Sequence, residues 1–179
     1  MVRNRKIKDE LDKLGHLSRR GLILHLITAT GILRNSFKTK KARIIYKKAS
    51  VKVIEELLDK VDRDKLTRQD IQNGISKLKR KAGHKCSYGL SQKSINVVLK
   101  YYCFAHKNAN FKLLSQLDCP IDSRIISKYY PSASHNQGFR LKNLNRQNYD
   151  LIQGQIKKKE RLRILGDLVY EKEYIRNSI

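Results

Sequence analysis

The sequence predicts an all-α fold, a compact multi-helix domain of about eight helices, and three observations carry that expectation. Only two prolines occur in 179 residues, Pro120 and Pro131, so little interrupts long helices. Apolar residues recur at intervals of three and four along most of the chain. A hydrophobic fraction of 40%, with nine tyrosines and four phenylalanines, is enough to build a core, which separates this chain from a disordered basic tail. One domain spanning residues 1–179 is expected.

Taken in order, residues 3–14 place Ile7, Leu11 and Leu14 at helical spacing before Gly15. Residues 17–33 read as a second, buried helix closed near Gly31 and Asn35. In 40–58, Ile44, Ile45, Ala49, Val53, Ile54, Leu57 and Leu58 form an apolar face, with Arg43, Lys47, Lys48 and Lys52 off it. After a polar break at 62–64, Thr67 is a good N-cap for a helix over 68–80 with Ile71, Ile75 and Leu78 inward. A basic loop, 79–85, precedes a buried helix over 94–104 that carries Ile95, Val98, Leu99 and Tyr102. Short helices are expected over 111–117 and 124–130, a polar loop over 132–138, and one or two closing helices within 143–176.

The net charge is +24, from 40 Lys+Arg against 16 Asp+Glu, and the excess runs through both halves. Self-repulsion of that size favours a polyanionic partner, and counterion release then makes binding steeply salt-dependent. Double-stranded DNA is the expected partner, with RNA as the alternative. No run of about 18 or more apolar residues exists, so no membrane helix is expected. Cys86, Cys103 and Cys119 are odd in number and widely spaced, which argues against a disulfide framework and for a reducing interior, cytoplasmic or nucleoid-associated. Nothing in the spacing of Cys86, Cys103, His84 and His106 makes a metal site, and no cofactor is expected.

Two segments within 86–130 stand together as a candidate site. In the first, Gly89, Leu90, Ser91, Gln92, Lys93 and Ser94 form a glycine turn opening a helix with a lysine on its first turn. Backbone N–H groups at such a start suit a phosphate, with Lys85 close by in sequence. In the second, Asp122 precedes Ser123 and Arg124 at the cap of the next helix, where a carboxylate is held rigid.

Together, residues 88–124 resemble the helix-hairpin-helix DNA glycosylases. Lys93-Ser94-Ile95-Asn96 is similar to the lysine and helix of their hairpin, and Ile121-Asp122-Ser123 to their aspartate turn. The family's second hairpin glycine is Ser91 here, and Lys93 and Asp122 stand 29 residues apart, longer than usual, with 105–117 inserted. No cysteine cluster for an iron–sulfur centre follows. The resemblance implies a glycosylase, with lyase activity, that flips a damaged or modified base from duplex DNA. It makes Lys93 the nucleophile and Asp122 its electrostatic and acid/base partner. Gly89, Leu90, Ser91, Gln92, Ser94, Lys85 and Arg124 would meet the nucleic acid. The reading from another class is a non-enzymatic basic DNA- or RNA-binding protein with a regulatory or architectural role.

Overall fold

The computed structural model describes residues 17–83, 86–104, 109–133 and 135–167, and every regular element among them is helical. The expected helix over 3–14 and the far end of the closing segment lie outside the described residues.

Helix α1 (Arg19–Ala29) starts at Ser18, whose hydroxyl accepts the Gly21 N–H, and buries Leu22, Ile23, Leu26 and Ile27. It does not run on to Leu33. Gly31, in the left-handed region at φ 70°, turns the chain into the short helix α2 (Ile32–Ser36). Helix α3 (Lys40–Asp62) is capped by Thr39 and outlasts its expected end because Val61 continues the buried stripe of Val53, Ile54, Leu57 and Leu58. Each of these large aliphatic side chains contributes roughly 1.5–3 kcal/mol by leaving water. Ile44 and Ile45, expected on the apolar face, are instead exposed, each by 43%. The inward register at this end of α3 belongs to Tyr46, which packs on Phe37 at 4.6 Å between ring centroids.

Thr67 and Asp70 cap each other's backbone at the start of helix α4 (Arg68–Ala82), so the sequence signal for that start holds. Helix α5 (Tyr88–Tyr102) begins six residues before its expected start, because Ser87 accepts the Leu90 N–H and caps it there. Helices α1, α3, α4 and α5 pack on one another as the main bundle. After the short helix α6 (Phe111–Leu114), the chain passes through a buried extended stretch into helix α7 (Ser123–Tyr129). The polar loop that follows contains two 3-10 turns, Pro131–Ala133 and Gln137–Phe139, and leads to helix α8 (Arg146–Lys159) and a last 3-10 turn, Arg163–Asp167. Helix α8 packs on α7, and Tyr149, Ile152, Gln153 and Ile156 form its buried face.

The loop before α8 lies across the start of α5. Ser87 Oγ donates to Leu141 O at 3.1 Å, and the Gly89 N–H donates to Leu144 O at 3.2 Å. A Cβ on Gly89 would stand 1.9 Å from Leu141 O, so the residue is fixed by close backbone approach. Its φ is not positive, and no special turn is involved. Gly89→Ala must push this loop off α5 and is expected to cost about 1–3 kcal/mol or more. Gly154→Ala, in open space on α8, should be neutral or stabilise by up to about 1 kcal/mol. Urea denaturation of the two variants checks this; equal stabilities would contradict it.

Candidate functional site

The candidate site forms where α5 meets the extended stretch ahead of α7. Helix α5 is amphipathic with an unusual inner face, since Gln92 and Asn96 are buried among Ile95, Val98 and Leu99. Buried amides need partners, and the stretch 118–122 supplies them for Gln92, while the Asn96 amide oxygen is left without one. Gln92 Nε2 donates to Ile121 O at 2.8 Å, and the Ile121 N–H donates back to Gln92 Oε1 at 3.1 Å. From the other side, Gln153 of α8 does the same to Cys119: its Nε2 donates to the carbonyl at 2.7 Å and its Oε1 accepts the N–H at 3.1 Å. Two glutamines thus satisfy backbone groups of a segment that lies outside any helix.

Behind this clamp lies a continuous polar chain. Asn96 Nδ2 donates to Tyr149 Oη at 2.8 Å, and Tyr149 donates to Asp118 Oδ2 at 2.9 Å. Burial, and then the Asp118 charge, push the Tyr149 hydroxyl well above its ordinary pKa, so it stays a donor. Asp118 is fully buried and takes two guanidinium groups, Arg68 Nε at 2.9 Å and Arg163 Nε at 2.5 Å. Arg68 also reaches Asp150 at 2.8 Å.

The clamp sets the position of Asp122. Its Oδ1 accepts the N–H groups of Arg124 and Ile125, at 3.0 and 3.2 Å, and caps α7 as the sequence indicates. Its Oδ2 faces Lys93 Nζ at 3.5 Å. The structure therefore brings the two residues singled out for chemistry together, with their side chains 19% and 16% exposed, neither sealed in nor free in solvent. Arg124 stands 3.4 Å from Asp122 Oδ2 and is otherwise open to solvent. Burial alone would raise the Asp122 carboxyl. The Lys93 charge, the Ile125 N–H and Arg124 outweigh it and hold the group below the usual carboxylate range.

The other expected contact residues are placed differently. Gly89, Leu90, Ser91, Gln92 and Ser94 are all buried. The N–H groups of Gly89, Leu90 and Ser91 are engaged by Leu144 O, Ser87 Oγ and Ser87 O. Helix α5 starts earlier than expected and the 141–144 loop covers it, so this start is not an open phosphate cradle and Lys93 falls in the second turn. Ser94 Oγ pairs with Tyr46 Oη at 2.7 Å, and Tyr88 packs edge-on against Tyr149. Lys85, His84 and His106 lie outside the described residues. The three cysteines are buried and form no disulfide with one another, and no group of metal-ligating side chains occurs among the described residues.

Sequence reasoning gave no site role to Asp118, Tyr149, Gln153 or Arg68, quoted Asn96 only within the hairpin resemblance, and read Arg163 only as part of a basic run, 157–163, suited to phosphate contact. A signal was present: Gln153 sits on the apolar stripe of α8, and Gln92 and Asn96 are four apart on that of α5. No family model, curated protein or solved structure matches this chain. No described helix is long and apolar enough to cross a membrane.

A depressed Asp122 pKa means that its contribution to stability is present above the ordinary carboxylate value and is lost as pH falls through the folded value. Lys93→Met should raise the Asp122 midpoint toward the ordinary range, read from the carboxyl 13C shift during an acid titration. An unchanged midpoint would show that Lys93 does not govern Asp122.

Proposed function

We propose that this chain acts on DNA as a base-excision glycosylase with lyase capacity, Lys93 being the nucleophile and Asp122 its partner. The observation that supports the reading is the 3.5 Å approach of Lys93 Nζ and Asp122 Oδ2, from segments 29 residues apart, at a partly open edge of the bundle. A lysine amine attacks only when neutral, so its ammonium proton must first pass to solvent water at this partly open edge, which leaves Asp122 ionised. The amine then bonds to the sugar C1′ while the C1′–N bond to the base breaks and the base leaves with the bonding pair. Loss of the nitrogen's second proton frees its lone pair, and the sugar ring opens as O4′ leaves with its bonding pair and takes up a proton, which gives the protonated imine that borohydride reduces. An ionised Asp122 also favours the positive charge that develops at C1′. Its depressed pKa keeps it ionised at neutral pH.

The reading from the other class is a binding protein without chemistry. It is favoured by the buried start of α5, where the hairpin N–H groups already have protein partners, and by a net charge of +24 that needs no active site to bind nucleic acid. In that case Lys93–Asp122 is an ion pair that ties α5 to the cap of α7.

Borohydride trapping on duplex DNA with an abasic site separates the two. The glycosylase–lyase reading expects a covalent adduct with the wild type, none with Lys93→Ala, and at least a hundredfold slower trapping with Asp122→Asn, all three binding the duplex alike. Salt-dependent binding with no adduct from the wild type removes lyase chemistry and leaves the binding protein.

A further inference from the structure

A second surface, apart from Lys93 and Asp122, has the make-up of a nucleic-acid contact. The end of α4 and the beginning of α3 flank an open groove of about 350 Å³. Its apolar walls come from Phe37, Ala42, Ile45 and Ala82, and Lys41 and Lys81 stand at its rim. Ile44 and Ile45 are large aliphatic side chains left exposed on a helix whose other large aliphatic side chains are in the core. Lys41, Ile45, Lys48 and Lys52, spaced four, three and four apart, share one face of α3 and are exposed. Lys79, Arg80 and Lys81 add three exposed cations at the end of α4.

Carboxylates are sparse around these charges, the nearest on α3 being Glu55 and Glu56, one turn beyond Lys52. The sequence has no Asp or Glu between Asp12 and Glu55, and none between Asp70 and Asp118. Glu56, Asp59 and Asp70 are engaged elsewhere, with Lys77, Arg19 and Lys60 respectively. No ion pair among the described residues involves Lys41, Lys48, Lys52, Lys79, Arg80 or Lys81. The three cations at the end of α4 also complement its helix dipole. That leaves Lys41 and Lys48, toward the start of α3, and Lys52, at its middle, without such a reason.

We infer that this groove binds a strand of nucleic acid, with the sugar–phosphate chain along the lysines and one unpaired base against Ile45 and its apolar neighbours. Two features together select this occupant. A row of unpaired lysines suits a repeating anion, and aliphatic side chains beside it suit the flat apolar face of an unstacked base, which gains by leaving water. The groove is large enough for one base. The inference shares its partner class with the function proposed above but not its chemistry, and neither Lys93 nor Asp122 takes part.

The test is anisotropy titration of a labelled single-stranded oligonucleotide, and of its fully paired duplex, over a series of salt concentrations. Lys41→Ala/Lys48→Ala/Lys81→Ala should weaken single-strand binding at least tenfold and reduce the salt slope by about 2, at about 0.7 per phosphate contact. Ile45→Ser should weaken the single strand severalfold and leave the duplex nearly unchanged, because only the single strand offers a free base. Lys157→Ala/Lys158→Ala/Lys159→Ala removes the same charge from α8 and should have a smaller effect. Equal losses from the two triple variants would reduce the result to net charge and overturn the inference. So would an Ile45→Ser variant that binds like wild type, or a wild type that binds phosphatidylserine vesicles but no oligonucleotide. Strand binding lost in the first triple variant, alongside a wild type that traps no abasic DNA, would keep the groove and remove the chemistry.

Discussion

Two buried glutamines govern the arrangement around the candidate site. An extended segment inside a helical protein has backbone donors and acceptors that no helix satisfies, and each one left bare costs about 1–3 kcal/mol. Gln92 and Gln153 approach 118–122 from different helices and satisfy both backbone groups of Ile121 and of Cys119. This makes α5, α8 and the stretch before α7 one unit. Since Gln92 adjoins Lys93 and Ile121 adjoins Asp122, the same contacts set the distance between lysine and carboxylate.

Asp118 extends that unit into the charged interior. A buried carboxylate is tolerable only with full compensation, and here two arginines and a tyrosine provide it. Arg163 comes from the last 3-10 turn and Arg68 from the start of α4, so the carboxylate joins the C-terminal segment to the main bundle. Other described carboxylates pair nearer the surface, Asp59 with Arg19, Asp70 with Lys60 and Glu56 with Lys77.

The helical class, the Thr67 start of α4 and the Asp122 cap of α7 were legible in the sequence because each rests on local chemistry: period, hydroxyl cap and carboxylate cap. The pairing of Lys93 with Asp122 was anticipated only through a resemblance, and 29 residues of separation gave no local rule for it. What remained hidden depends on tertiary contact. Gly89 and Ser91 look like a phosphate-binding hairpin until the loop at Leu141 and Leu144 is seen to cover them. Gln92 looks like a contact residue until Ile121 is found opposite. Ile44 and Ile45 fit the apolar stripe of α3 by period, yet no neighbour packs over them enough to bury them.

Hydrogen exchange of the Cys119 and Ile121 amides probes the glutamine clamp without reference to any activity. Both lie outside helices, where an unclamped loop amide exchanges quickly. If the glutamine contacts hold as described, both amides should be protected almost as strongly as the core of α5, and their exchange should accelerate selectively in Gln153→Ala for Cys119 and Gln92→Ala for Ile121. Exchange at open-loop rates in the wild type would mean that the segment is not clamped and that nothing fixes Asp122 opposite Lys93.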